Sequence, residues 1–440
     1  MNAVFLVIVL VAFGVAAWRQ VTWTGTGEAP MQLLATGMVD TAGSAVTLAI
    51  GLIGVMTLFL GLMKVAEAGG LLTIIARLIR PLMVRAFPDV PADHPAMGAM
   101  ILNMSANALG LGNAATPFGI RAMQELDRLN PHKGTATDAM VLFLAINTSS
   151  VTLLPTGVIA LRAAAGSTDP AAILPTTLFA TVLSTTAAIC AAKLYQRWTR
   201  VPADYVAPAT PAAEDGPGRT DEDPAAAPET LEDMPADAAT GAYPGWVSML
   251  AIGCILALIP VTVVWGRSVA PWIIPGLMVA LLGFGAIRRV RIYEVFVDGA
   301  RDGFQVAVRI IPYLVAILVA VGMLRSSGAL EAAIGWISPL TTLVGLPGEA
   351  LPMALLRPLS GSGAYGILAS IINDPAIGPD SYAGYLVSTL QGSTETTFYV
   401  IAVYFGAVQI RRMRHALAAA LTADAAGIAG AVIACSIVFE

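Results

Sequence analysis

Residues 382–409 read YAGYLVSTLQGSTETTFYVIAVYFGAVQ, an apolar stretch that the polar segment QGSTETT at 391–397 interrupts near its middle. The stretch exceeds the ~20 residues that a helix needs to cross a bilayer. Lipid cannot bond to the backbone groups that an interruption frees, so such a break must be buried in protein or line a watered cavity. An acid such as Glu395 is costly there unless it is paired, protonated or bound to an ion. The stretch therefore predicts a broken membrane helix at a functional site.

The composition of the whole chain agrees with a membrane location. Of its 440 residues, 57% are hydrophobic and 12% are charged, whereas soluble globular proteins carry about 25% charged residues. Several further apolar runs reach or approach the length of a bilayer-spanning helix. We therefore predict an all-α polytopic membrane protein, and the composition argues strongly against a soluble enzyme.

An acidic segment separates two halves of the chain. Residues 203–243 contain ten acidic residues and one arginine, so the rest of the chain carries a net charge of about +4. Residues 199–243 are rich in Pro, Ala, Asp and Glu and lack an apolar period, which predicts a disordered linker. Whether this linker binds a partner stays open. We see no basic footprint typical of nucleic-acid binding.

The two halves repeat one order of segments. Each has an amphipathic stretch, an apolar run, a second amphipathic stretch, a glycine-rich broken pair, a helix with a polar break and a last apolar run. The polar break is NTSS at 147–150 in the first half and QGST at 391–394 in the second. A duplication explains this agreement. Between the halves, residues 246–265 and 272–287 predict two further spans.

The positions of basic residues indicate how the chain is oriented in the membrane, because cytoplasmic loops carry an excess of Lys and Arg. The basic clusters all fall on the cytoplasmic side if the chain forms an inverted repeat of nine spans and two re-entrant hairpins. Arg19 and Arg325 are then the exceptions. This topology predicts that the N-terminus and the acidic linker are cytoplasmic.

The first predicted hairpin spans residues 103–117, NMSANALGLGNAATP. Gly110 and Gly112 permit a tight reversal. Asn103 and Asn107 are four residues apart and share one helical face. They either line a substrate site or hold the hairpin against its neighbours.

The second predicted hairpin spans residues 357–366, RPLSGSGAYG. Its glycines resemble a phosphate-cradling loop, but the Gly-Lys-Ser/Thr of such a loop does not follow. An arginine at membrane depth is costly and usually functional, whereas one near the interface snorkels to water. Both interpretations of Arg357 stay open. Asp424, in the last apolar run, is another costly acid.

We predict a substrate site between the two hairpins and the two breaks. Its candidate residues are Asn103, Asn107, Asn113, Asn147, Thr148, Ser149, Ser150, Arg357, Ser360, Ser362, Gln391, Ser393, Thr394, Glu395 and Thr396. No Cys, His and carboxylate set has metal-ligand spacing, so we expect neither a metal site nor a cofactor, and no enzyme activity. Glu395 makes Na⁺ or H⁺ a possible coupling ion.

These motifs resemble two families. Residues 103–126, followed by NTSS at 147–150, resemble spore maturation protein A. Residues 356–363, 378–381 and 391–399 resemble spore maturation protein B. The chain thus resembles a fusion of the two, joined by the acidic linker. The resemblance implies nucleoside-recognition or gate domains, which also occur in concentrative nucleoside transporters and in the ferrous iron transporter B.

With this resemblance, the chain divides into five predicted regions. They are an N-terminal membrane helix and loop (1–30), a gate domain similar to spore maturation protein A (31–198), the disordered acidic linker (199–243), two connecting transmembrane helices (244–290) and a gate domain similar to spore maturation protein B (291–440).

The expected function is ion-coupled secondary transport of a small polar solute across a bacterial cytoplasmic (inner) membrane. The alternative is a membrane scaffold or assembly factor for the envelope or for spore maturation, without solute flux. The expected partners are the solute and membrane lipid, with a homo-oligomer possible.

Overall fold

The computed structural model describes residues 2–25, 27–110, 112–150, 152–199, 242–341 and 345–439. These residues form α-helices and no β-sheet, apart from one isolated backbone bridge between Thr135 and Arg412. The predicted all-α class is confirmed. Residues 200–241, which hold most of the predicted acidic linker, lie outside the described residues.

The helices of the first half precede that linker. They are α1 (Asn2–Val21), α2 (Pro30–Ala68), α3 (Leu71–Ala86), α4 (Pro95–Ala108), α5 (Gly112–Arg128), α6 (Asp138–Ser149), α7 (Thr156–Ala164) and α8 (Leu174–Tyr195). Those that follow the linker are α9 (Gly245–Ile287), α10 (Ile292–Ser326), α11 (Ala329–Thr341), α12 (Leu351–Leu356), α13 (Gly361–Ile372), α14 (Tyr382–Ser393), α15 (Thr397–Gly406) and α16 (Ala416–Phe439).

The order of helices α2 to α8 recurs in α10 to α16. In each series a long helix and a shorter one precede a hairpin, α4/α5 or α12/α13. A broken helix follows, α6/α7 or α14/α15, and one long helix ends the series. This order of helices is compatible with the predicted repeat; the repeat, its inverted relation and the nine spans stay predictions.

Equivalent side chains start the two broken helices. The hydroxyl of Thr137 accepts a hydrogen bond from the N–H of Met140 (3.2 Å) before α6, and that of Ser381 accepts one from Gly384 (3.0 Å) before α14. Such N-caps satisfy backbone donors that have no partner within the helix. The two broken helices therefore begin in the same way.

Gly110 makes the turn of the first hairpin. Its φ of +75° is in the region that favours glycine, and an added Cβ would lie 2.6 Å from the carbonyl oxygen of Leu154. The turn thus packs directly on the break between α6 and α7. A side chain at this position would both strain the backbone and push the two elements apart.

The prediction of two separate spans between the halves is wrong in detail. The structure has one helix, α9, where the sequence predicts two spans at 246–265 and 272–287. Gly266 and the prolines at 260, 271 and 275 lie within this helix and do not end it, although each proline removes one helical hydrogen bond. At 1.5 Å per residue, α9 is ~65 Å long, about twice the thickness of the hydrocarbon core.

Equivalent helices of the two halves pack against each other. Helix α2 lies along α10, and α8 lies along α16, while α6 and α14 both contact α8 and α16. Gly430 allows a close approach in the second pair, because a Cβ there would lie 3.1 Å from the Cα of Ala180. Both broken helices are held by this α8–α16 pair.

Length and apolarity mark two membrane-spanning candidates among the described residues, α8 and α16. A third is present if the pair Met56–Ala68 and Leu71–Ala86, bent by 70°, crosses as one span.

Candidate functional site

The two helix breaks lie against each other and against both hairpins. The N–H of Glu395 donates to the carbonyl oxygen of Thr148 (2.9 Å), which joins the second break to the first. The N–H of Leu153 donates to the carbonyl of Ala108 at the end of α4 (3.0 Å). The N–H of Phe398 donates to the carbonyl of Pro358 in the second hairpin (3.1 Å). The structure therefore brings together all four predicted elements.

An amide network connects the first hairpin to both broken helices. The side-chain N–H of Asn107 donates to Oδ1 of Asn147 (3.0 Å), and the hydroxyl of Tyr404 donates to the same oxygen (3.3 Å). Asn103 donates to the Tyr404 hydroxyl oxygen (3.1 Å) and to the carbonyl of Ala115 (2.7 Å). Oδ1 of Asn103 is buried without a hydrogen-bond partner among the described residues.

Tyr404 was not among the predicted residues. Its signal in the sequence is a phenol within the otherwise apolar run after the second break. A tyrosine that is buried usually finds a partner for its hydroxyl.

The hydroxyls of the first break are used within the protein. Those of Thr148 and Ser149 donate to carbonyls one turn earlier in α6, and Ser149 also contacts the hydroxyl of Thr185 (2.9 Å). The hydroxyl of Thr181 in α8 donates to the carbonyl oxygen of Ser150, whose own backbone φ is 46°. Helix α8 therefore holds the chain where α6 ends. Thr148 and Ser149 thus help to build the break by satisfying carbonyls that it frees.

Arg357 holds the second break together. Its side chain is buried, Nη1 donates to Oγ1 of Thr396 (3.1 Å), and Nη2 donates to the carbonyls of Gln391 (3.3 Å) and Thr394. These carbonyls have lost their helical partners at the break, and a guanidinium offers five donors to such groups. The Glu395 carboxylate lies 3.9 Å from Nη2, and its side chain is 44% exposed. Arg357 is thus enclosed by protein and does not snorkel.

The other predicted residues have different surroundings. Ser360 accepts a hydrogen bond from the N–H of Gly363 (3.0 Å) and caps α13. The hydroxyls of Ser393 and Thr394 point back toward the Leu390 carbonyl (3.5 and 3.4 Å). Oε1 of Gln391 is buried without a hydrogen-bond partner among the described residues. The side chains of Asn113 and Ser362 lie outside the described residues.

A buried carboxylate lies directly behind the second break. Asp424 of α16 is 4% exposed, and its Oδ2 accepts a hydrogen bond from the hydroxyl of Thr397 (2.7 Å). Thr397 is the first residue of α15. The candidate site thus contains a second acid besides Glu395.

An ion pair joins the two halves where α7 ends. The side chain of Arg162 is fully buried, with Nη2 2.9 Å from Oδ1 of Asp380 and Nη1 donating to the Pro379 carbonyl (2.6 Å). Its guanidinium carbon lies 4.4 Å from the ring centroid of Tyr385, within the range of a cation–π contact. An arginine in the apolar helix α7 was a sequence signal for this contact.

Asp380 should make the free energy of unfolding decrease at acid pH. Burial raises the pKa of Asp380, but hydrogen bonds from Ser167 and Thr168 and the charge of Arg162 outweigh it and hold that pKa below its usual value. Such a group stabilises the fold above its unfolded pKa of ~3.9 and ceases to do so as the pH falls through the lower folded pKa. We expect the Tm to fall more steeply below about pH 4 in the wild type than in Asp380→Asn.

The matched control is Asp374→Asn, which removes the carboxylate that pairs with the partly exposed Arg325 (3.0 Å). Its acid slope should match that of the wild type. Parallel acid slopes for Asp380→Asn and the wild type would contradict the assignment.

A second contact joins the halves at the start of α6. Arg414 lies 2.7 Å from Asp138 and donates to the carbonyls of Thr199 (2.8 Å) and Ala136 (3.1 Å). Backbone hydrogen bonds between residues 134–136 and 411–412 support it. The first broken helix is therefore tied to the second half at both of its ends.

The largest described cavity lies beside the candidate residues rather than among them. Its volume is about 1070 Å³, and its lining includes Asp40 of α2, Gly322 of α10 and Asn373 next to α13. The predicted site residues that the structure describes do not line this cavity. Among the described residues, no group of three or more His, Cys, Asp or Glu side chains could hold a metal ion.

Comparisons with known proteins point to one family. A family model named Gate and described as nucleoside recognition matches residues 49–165 and 307–411, which together make up half of the chain. No solved structure matches the chain.

Two relatives from Bacillus subtilis match parts of the chain. Spore maturation protein B is 44% identical over 166 residues, which are 38% of this chain and 92% of that protein. Spore maturation protein A is 49% identical over 148 residues, which are 34% of this chain and 76% of that protein. This agrees with the predicted fusion. The inner membrane protein YjiG of Escherichia coli is 34% identical over 90 residues, 20% of this chain and 59% of that protein.

Proposed function

The chain belongs to the nucleoside-recognition Gate family of membrane proteins, and on that premise we propose that it is an ion-coupled secondary transporter of a small polar solute. The observation that supports this proposal most is the hydrogen bond between Glu395 in one helix break and Thr148 in the other. Broken helices in corresponding positions of two halves are where many transporters bind their substrates.

The side chains at the breaks suit a solute with several hydrogen-bond donors. Oδ1 of Asn103 and Oε1 of Gln391 are buried acceptors without a partner among the described residues. Leaving a buried acceptor unpaired costs ~1–3 kcal/mol, which a bound donor would recover. The half-exposed Glu395 carboxylate would contact the solute or the ion. Nucleosides and other small polar metabolites both fit these requirements.

The proposal also includes the site residues, the coupling ion and the membrane location. The solute would contact the predicted site residues of both hairpins and both breaks, with Na⁺ or H⁺ as the coupling ion and no further cofactor. The protein would lie in a bacterial cytoplasmic membrane, as the name of the Escherichia coli relative suggests. Its N-terminus and acidic linker would be cytoplasmic, and a homo-oligomer would be compatible with it.

A membrane scaffold for envelope or spore maturation is the second candidate, because two relatives are named for spore maturation. Deleting residues 205–240 distinguishes the two. A transporter should keep its flux if the halves stay joined, whereas a scaffold that depends on the linker should lose its function.

Thermal stabilisation by ligands should identify the solute. The purified protein would be heated with nucleosides and small polar metabolites, each in Na⁺ and in choline. A solute at a hundredfold excess over its Kd should stabilise the native state by ~2.7 kcal/mol. Asn147→Ala should abolish this shift, because it removes the acceptor shared by Asn107 and Tyr404.

The matched control is Asn373→Ala. Among the described residues, the amide of Asn373 donates to the carbonyl of Ala369 in the preceding helix α13 (2.8 Å). This variant should keep the shift. If no solute stabilises the wild type, and no solute flux appears in vesicles, the scaffold becomes the better account.

A further inference from the structure

Asp424 is a buried acid whose charge no nearby cation fully neutralises. It lies in α16, one of the two helices among the described residues that are long and apolar enough to cross a membrane. One carboxylate oxygen accepts the hydrogen bond from Thr397, and the other, Oδ1, is buried without a hydrogen-bond partner in the part of the chain that the structure describes. Within the described residues Asp424 forms no ion pair. An ionised carboxylate in such a place is costly unless a cation joins it.

The second break holds one positive charge and two acids. Arg357 is enclosed by the break, and Glu395 lies 3.9 Å from its Nη2. The charge of Arg357 also acts on Asp424 from a greater distance. With both carboxylates ionised, this group of three side chains has one excess negative charge. One monovalent cation would balance it.

Other charges near α16 are too far away to supply that balance. Asp138 of α6 pairs with Arg414, and Lys193 is in the last turn of α8. Arg414 lies ten residues before Asp424 and His415 lies nine residues before it. Nine residues correspond to about 13 Å along a helix axis. From α8, the neutral hydroxyl of Ser184 donates to the carbonyl of Ala423 (2.8 Å). Among the described residues, Arg357 is thus the charged group that acts on Asp424.

We propose that Asp424 is the residue that takes up and releases the coupling proton. The reaction is the addition of H⁺ to Oδ1, which turns the carboxylate into a neutral acid and breaks no other bond. A proton needs only this one free lone pair, whereas a metal cation needs several oxygen ligands, and Thr397 is the one described hydroxyl bonded to Asp424. This inference rests on the proposed transport function and names its ion and its carrier.

Asp424 is placed so that its charge acts on the break. Thr397 joins it to the first turn of α15. Three residues after Asp424, Gly427 packs on Thr394 so closely that a Cβ would lie 2.6 Å from the threonine Cγ2. Protonation removes a negative charge that attracts Arg357, which leaves Glu395 as its only nearby carboxylate. The proton load would therefore change the electrostatics of the segment proposed to bind the solute.

Infrared difference spectroscopy tests the carrier without any solute. The full chain in lipid vesicles is stepped through a series of pH values in choline buffer. The wild type should show a C=O band of a protonated carboxylic acid that persists above the pH at which exposed carboxyl groups have lost their protons, because burial disfavours the charged form, and this band should disappear at higher pH. Asp424→Asn should lack this band. Glu395→Gln should keep it, and so should Asp374→Asn, whose carboxylate pairs with Arg325 elsewhere.

Thr397→Val keeps the shape of the site and removes the hydroxyl that stabilises the ionised carboxylate. Its band should persist to a higher pH than in the wild type. This variant tests the assignment even if Asp424→Asn does not fold. An unchanged midpoint would count against Asp424.

Three results would overturn the proposal. The first is loss of the band in Glu395→Gln with retention in Asp424→Asn. The second is loss of the band at constant pH when Na⁺ replaces choline, which would make Na⁺ the ion. The third is proton-driven solute uptake that persists in Asp424→Asn. If no solute is transported but the band behaves as expected, the proposed transport fails while Asp424 remains a proton-binding residue.

Discussion

Arg357→Ala should lower the free energy of unfolding by about 3–5 kcal/mol, the cost of removing one member of a buried charged network. The guanidinium donates to the Gln391 and Thr394 carbonyls and to the Thr396 hydroxyl. Without it, two carbonyls freed by the break have no donor, and neither lipid nor helix supplies another. The effect should appear in chemical or thermal unfolding of the detergent-purified protein.

Arg357→Lys refines this prediction. An ammonium keeps the charge but has three donors at one point instead of a planar fork, so it cannot reach all three acceptors at once. We expect it to recover only part of the loss. The control is Arg325→Ala, which removes an arginine whose side chain is 41% exposed and paired with Asp374. Exposed pairs contribute ~0–1 kcal/mol, so equal losses in Arg325→Ala and Arg357→Ala would show that Arg357 does not hold the break.

Asp380→Ala should be the second strongly destabilising change, again by about 3–5 kcal/mol. It leaves the guanidinium of Arg162 fully buried without its carboxylate. The Pro379 carbonyl and the Tyr385 ring would still contact Arg162, but neither neutralises its charge. The carboxylate of Asp169 also acts on Arg162 but forms no ion pair with it among the described residues, so the buried charge would be compensated only in part.

The double variant Arg162→Met/Asp380→Ala should be more stable than Asp380→Ala alone. A buried ion pair can often be replaced by apolar side chains of similar volume with little loss, whereas breaking it by removing one partner is costly. A double-mutant cycle on the unfolding free energies measures this coupling. Additive losses would mean that the two side chains do not depend on each other.

Several parts of the site follow from local sequence. The break at 391–397 and that at 147–150 are recognisable because polar residues interrupt apolar runs, and the caps Thr137 and Ser381 mark where both broken helices begin. Gly110 marks the first hairpin turn because few residues adopt its φ. These features depend on neighbours within a few positions.

Contacts between distant residues could not be predicted. Tyr404 bonds to Asn103 across 301 positions and to Asn147 across 257. Arg162 meets Asp380 across 218 positions. Nothing in either stretch specifies the partner, because the packing of α15 on α5 and α6 and of α14 on α7 brings these residues together. The two spans predicted at 246–265 and 272–287 form one helix, α9, in the structure.

The sequence by itself determined the class of protein, the order of its helices and the places where two of them break. Those properties follow from the length and period of apolar runs and from residues that cap or interrupt a helix, which are local quantities. The tertiary structure decided which polar groups stay available. It uses Thr148 and Ser149 within the first break, binds Arg357 to freed carbonyls and leaves Oδ1 of Asp424 without a partner among the described residues. The physical reason is that a buried polar group is satisfied by whatever the fold places within hydrogen-bond distance.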